Sequence, residues 1–146
     1  MISITQGKRR VSVGSGQTST STSPADVTGC TLPIAAGESV SFVGEVLFEV
    51  SSASGGLGLG VNGSAAATYV AGRVDGVQSA GNFVAQVTAY ASTTNAGSVP
   101  SLGVVYYARI SGRIVNGGSD SNLSLQFARG GSGTLTIRSA TLEILP

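Results

Sequence analysis

Residues 38–51, ESVSFVGEVLFEVS, constrain this chain more than any other stretch. Val40, Phe42, Val46, Phe48 and Val50 fall on even positions, interrupted only by Gly44. Ser41, Glu45, Glu49 and Ser51 share the odd positions with Val43 and Leu47. Successive side chains of a strand point to opposite faces, so the stretch reads as one long β-strand with an apolar face and a mixed face. At a helical period the same residues scatter round the cylinder, and branched and aromatic side chains favour the pleated surface. A strand of this length needs a second sheet over its apolar face.

The remainder repeats the pattern. Residues 27–34 read as a strand that Pro33 confines to an edge or an end. Residues 57–61, LGLGV, form a short strand, Asn62-Gly63 is a hairpin signal that Ala65–Ala67 lengthens, and residues 68–74 follow as a strand closed by an Asp75-Gly76 turn. Residues 83–91 and 104–115 alternate, the latter with Tyr106, Ala108, Ile110 and Ile114 on one face and Tyr107, Arg109 and Arg113 on the other. Leu123, Leu125 and Phe127 mark another strand, and Leu135, Ile137, Leu142 and Ile144 the last, whose change of parity predicts a bulge near residues 139–141. The expected fold class is all-β, a jelly-roll-like β-sandwich of about eight antiparallel strands.

The N-terminus differs. Residues 2–5 and 9–13 read as short strands about a Gln6-Gly7 turn, but residues 14–24, GSGQTSTSTSP, hold no apolar side chain before the closing proline. Such a run cannot bury enough surface to offset the entropy of ordering it. Residues 1–25 are therefore expected to be a flexible arm with a Ser/Thr-rich linker, and residues 26–146 the sandwich domain. Ile2, Ile4, Val11 and Val13 are strand-like, and Lys8, Arg9 and Arg10 form the basic cluster. These seven residues are the candidate docking arm, expected to add a strand to the sheet edge of a neighbouring molecule. Deletion of residues 1–25 is expected to leave the domain folded.

Only 10% of residues are charged, net charge is +1 and mean hydropathy is +0.30, so the surface is expected to be covered by copies of the chain or by a partner. Three basic residues without interleaved aromatics do not make a nucleic-acid surface. No apolar run approaches the ~18 residues of a spanning helix, so no membrane partner is expected, and MISITQGKRR does not read as a secretory signal. The chain lacks histidine, which removes the usual general base, and leaves the lone Cys30 without an imidazole to activate it. Glu45 and Glu49 lie roughly 13 Å apart along a strand, wider than a glycosidase pair, and are expected to meet Arg109 or Arg113 across the sheet. Asp120 is the lone carboxylate of its loop and reads as a turn residue. No catalytic residue, cofactor or metal is expected, and no enzymatic activity. Tyr107, Arg109 and Arg113 form the candidate interface, and a glycan site is a rival use of exposed tyrosines.

Four segments together resemble a family of β-sandwich domains in virion structural proteins of tailed bacteriophages: residues 32–42 (LPIAAGESVSF), 57–71 (LGLGVNGSAAATYVA), 110–128 (ISGRIVNGGSDSNLSLQFA) and 134–145 (TLTIRSATLEIL). The resemblance covers residues 31–146 and departs at Gln126, where relatives often carry Arg, and at Ala140-Thr141, where they often carry Gly-Ser. It implies a non-enzymatic virion component. With a short chain beginning at Met1, it implies a stand-alone capsid decoration (cement) protein that binds the major capsid protein as a homotrimer on the capsid surface. The other implied role is a tail or tail-fibre module.

Overall fold

The structure is a computed structural model that describes residues 2–5, 7–14, 16–95 and 97–146; side chains of residues 2–5 and of Asn95 lie outside the description. Twelve strands are present among the described residues: β1 (Ile2–Thr5), β2 (Lys8–Val13), β3 (Gln17–Ser19), β4 (Ala25–Ile34), β5 (Ser39–Val50), β6 (Gly55–Gly63), β7 (Ala67–Gln78), β8 (Gly81–Val87), β9 (Thr94–Asn95), β10 (Tyr106–Asn116), β11 (Ser121–Gly131) and β12 (Leu135–Leu145). They form an eight-stranded sheet, ordered β1-β2-β12-β5-β10-β7-β8 with β3 also on β12, and a four-stranded sheet, ordered β4-β11-β6-β9. Each of these pairings is antiparallel. From β4 to β7, and again from β8 to β12, each connection crosses to the opposite sheet. The all-β sandwich expected from the alternation is the observed architecture.

The long strand β5 lies between β12 and β10. Its even residues Val40, Phe42, Val46, Phe48 and Val50 are buried, and they face Leu32, Leu59, Leu125 and Phe127 of the smaller sheet in one core cluster. Gly44 interrupts the apolar row because the sheets approach closely there. A Cβ on Gly44 would stand 2.7 Å from Leu125 Cδ1 and 2.8 Å from Ile110 Cγ2. Phe48 stacks obliquely on Tyr106 at 5.9 Å between centroids, and the Tyr106 hydroxyl donates to Ser101 O and accepts from Ser101 N.

Several expectations are corrected. Asn62-Gly63 is not a two-residue hairpin: both residues are in β6, and the chain then passes to β7 in the other sheet. Asp75-Gly76 is not a turn, since both residues pair with β8 at Val84 and Phe83, and the chain reverses after Gln78 instead. The alternation of 104–115 becomes strand only at Tyr106, leaving Val104 and Val105 exposed ahead of it. The bulge in β12 falls between Ile137 and Ser139, just N-terminal to its expected place. Pro33, as expected, lies on an edge strand, β4.

Candidate interaction surfaces

The expected free arm is part of the chain's own large sheet. Residues 9–13 of β2 pair with residues 140–144 of β12, and β3 continues the same edge by pairing Gln17, Thr18 and Ser19 with Ile137, Thr136 and Leu135. The polar run is tied down by hydrogen bonds rather than by apolar burial. Gln17 bridges Asp26 O and Thr28 N, and Arg129 N donates to Ser21 O. Counting apolar side chains misses this, because a strand edge supplies backbone partners to any sequence.

The docking-arm candidates accordingly have separate local roles. Val11 is buried in the core, and Val13 packs against it half-buried. Arg9, its side chain only 14% exposed, donates to Pro33 O at 2.6 Å and forms an ion pair with Glu38. Glu38 also accepts from Ala35 N at 2.8 Å, so one carboxylate joins β2 to the turn between β4 and β5. The Arg9 guanidinium holds that carboxyl below its ordinary value of 4.5. Lys8 pairs with Glu143 at 3.0 Å, and Arg10 is exposed beside Glu143 on the outer face. Ile2 and Ile4 lie in β1, paired with Val11 and Arg9; their side chains lie outside the described residues.

Beside Arg9 is a pocket of about 360 Å³ lined also by Pro33, Ala35, Asp120 and Asn122. Its polar groups serve the fold. Asp120 accepts from Ala36 N at 2.9 Å, and the buried Asn116 donates through Nδ2 to Ala35 O at 2.8 Å and Ser119 O at 2.9 Å. These bonds lock the β4–β5 turn against the β10–β11 turn. Cys30 is fully buried, and burial pushes its thiol up to about 12, so it carries no thiolate at neutral pH. Among the described residues no three His, Cys, Asp or Glu side chains gather where a metal could be held.

The outer face of the large sheet is the open surface of the molecule. Register aligns its outward residues in rows across the strands. One row runs Thr141, Glu45, Arg109, Asp75, Val84 over β12, β5, β10, β7 and β8. The next runs Glu143, Val43, Ser111, Arg73, Gln86, and Leu47 lies opposite Tyr107 on the other side of the first. Leu47, Tyr107 and Val84 are 40%, 48% and 52% exposed. The Tyr107 phenol is pushed up by burial and then by the Glu45 carboxylate beside it. Tyr107, Arg109 and Arg113 thus share one outward face. Arg109 lies opposite Glu45 as the alternation suggested, but Arg113 lies opposite Ser41 and donates to its Oγ at 3.3 Å. Glu49 pairs with Arg138 of β12, not with either arginine of β10, because β10 ends its pairing with β5 at Phe48.

No family model and no curated protein sequence matches the chain. Among solved structures, the VP2 subviral particle of infectious bursal disease virus is similar over 96% of this chain, with 11% identity and a TM-score of 0.50. The structure of the Gt strain of infectious bursal disease virus is similar over 96% as well, with 13% identity and a TM-score of 0.53. In both cases this chain spans 33% of the solved chain. At such identity the likeness is one of fold: the same two-sheet sandwich is built from an unrelated-looking sequence.

Proposed function

We propose that this chain is a non-enzymatic structural component of a virion, specifically a capsid decoration protein of a tailed bacteriophage that binds the major capsid protein on the shell surface. The observation that carries the reading is the likeness of almost the whole sandwich to a chain that builds the VP2 subviral particle. The four segments that resemble phage virion domains support it independently. So does the pocket beside Arg9, whose polar groups are spent on holding turns together. A tail or fibre module that binds host glycans is the second reading, favoured by two tyrosine rings, Tyr69 and Tyr107, presented 69% and 48% exposed on one sheet.

Purified protein mixed with phage capsids that lack it separates the two. The decoration role predicts saturable binding to the shell, density at regular surface positions in particle images, and capsids that withstand heat better. Failure to bind shells, together with a reproducible submicromolar hit on a glycan array, would overturn it in favour of the fibre reading.

A further inference from the structure

We propose that the outer face of the large sheet is a self-complementary interface that pairs two copies of this chain face to face about a two-fold axis. The axis runs parallel to the strands and passes between β5 and β10. This inference rests on charge and register and stands whether or not the chain is a virion protein. A threefold trimer was the expectation from resemblance; the chemistry of this face fits a two-fold pair.

The argument begins with strand order. In the sheet order β1-β2-β12-β5-β10-β7-β8 the line between β5 and β10 is the midline of the six strands from β2 to β8, with β1 outside them. A two-fold along it therefore lays β5 on β10, β12 on β7 and β2 on β8 of the second copy. Such a rotation keeps position along the strands, so each row meets its own reversed copy. Glu45 then faces Arg109 of the second copy, Glu143 faces Arg73, and Leu47 faces Tyr107, each contact occurring twice. Arg113 faces Ser41, and Arg10 faces Gln86. No like charges are opposed in these rows. A two-fold in the same plane but along the first row would set Glu45 on Glu45 and Arg109 on Arg109, so of these two axes the first is the complementary one.

The area agrees. Four strands at ~4.8 Å spacing and roughly nine residues at ~3.3 Å rise cover about 570 Å², and six strands about 860 Å², bracketing the ~800 Å² per partner of a stable interface. Aligned sheets cross at about 30°, so register is kept best at the centre, where Glu45, Arg109, Leu47 and Tyr107 lie. Among the described residues no ion pair engages Glu45 or Arg109 within the chain, although the Tyr107 hydroxyl bonds to Glu45. Glu143 and Arg73, by contrast, are already paired with Lys8 and Asp75, so the central contacts of Glu45 with Arg109 are the ones a second copy would add.

Sedimentation of the full chain tests this. Wild type is expected to be a dimer at micromolar concentration. Glu45→Arg and Arg109→Glu each place two like-charge contacts in the pair and should weaken it roughly 100-fold or more. Mixing these two variants restores both contacts between copies while each chain keeps a like-charged pair within itself. The mixture should therefore form heterodimers although neither variant dimerises alone. A reversal of charge that prevents folding is bypassed by Leu47→Cys mixed with Tyr107→Cys and a short bismaleimide, which should link unlike chains; the buried Cys30 does not compete. A wild-type monomer up to about 100 µM, an odd-numbered oligomer, or a dimer indifferent to both reversals and not cross-linked overturns the proposal.

Discussion

The two outer faces of the sandwich are treated oppositely by the same chain. On the large sheet, the outward residues of β5, β7 and β10 include charged, aromatic and branched side chains, with Ser41, Ser111 and Ala71 among them, and they stand open or half-exposed. On the small sheet the outward residues of β6 are Gly56, Gly58 and Gly60 ahead of Asn62, and Gly55–Val61 is buried throughout. The segment ahead of β9 passes over Gly60. Ser92 O and Thr93 Cγ2 lie over Gly60, while β9 extends the sheet beside β6 at Gly58 and Leu59. Ala91 makes the bend with φ of +56°, the left-handed region a non-glycine residue seldom adopts, and its N–H donates to Val61 O at 3.1 Å. A row of glycines lets backbone approach it closely; a face of projecting side chains keeps backbone away and stays open to solvent or to a partner.

Substitutions that break or sharpen this contrast can be ranked by size. The largest effect is expected inside both sheets. Phe48→Ala removes a ring that is 1% exposed and should cost about 3–5 kcal/mol in thermal or chemical unfolding. A loss below about 1 kcal/mol would mean that β5 is misread by one residue, which exchanges its two faces.

Next comes the covered face. On Gly60 a Cβ would meet Ser92 O and, at 3.1 Å, Thr93 Cγ2, so Gly60→Val must displace the cover and should cost about 1–3 kcal/mol. Limited proteolysis should then cut within residues 88–98 faster than in wild type. Unchanged cleavage would show that the cover does not depend on a glycine surface beneath it.

Smaller still is the clip at the N-terminal strands. Arg9→Ala should cost about 1–2 kcal/mol at neutral pH, since it strands a part-buried carboxylate and a carbonyl. Glu38 has a folded value below its ordinary 4.5, so its contribution is present in full above that pH and is lost as pH falls through the folded value. The difference between wild type and Arg9→Ala should therefore shrink in acid melts. A difference that stays constant down to pH ~2.5 would assign the loss to packing alone. The same clip, with Val11 in the core, reverses the expectation for residues 1–25: their deletion should destabilise the domain rather than leave it intact.

The smallest effect belongs to the exposed rim. Glu49→Ala leaves Arg138 in water, the two side chains being 28% and 45% exposed, and should cost under about 1 kcal/mol. A larger loss would mean that this end of β5 is screened by a neighbour, and would extend the pairing face to the edge of the sheet.

Period-two alternation by itself determined the long strands, their faces and the two-sheet core, because a one-residue slip would expose every apolar side chain of β5 at once. The same alternation put Tyr107, Arg109 and Arg113 on one face and Phe48 and Tyr106 on the other. What only the tertiary structure decided were the features carried by backbone. Asp75-Gly76 has turn composition, yet β8 pairs with both residues and β10 with Asp75, which holds them in the ladder. Residues 14–24 have linker composition, yet the open edge of β12 offers Gln17–Ser19 their hydrogen bonds. Glu45 opposite Arg109 could be anticipated, but not the midline they straddle, since strand order depends on which edges meet in space. Side-chain pattern is written residue by residue along the chain; backbone pairing is a relation between distant segments, and almost any sequence can satisfy it once the partner edge is present.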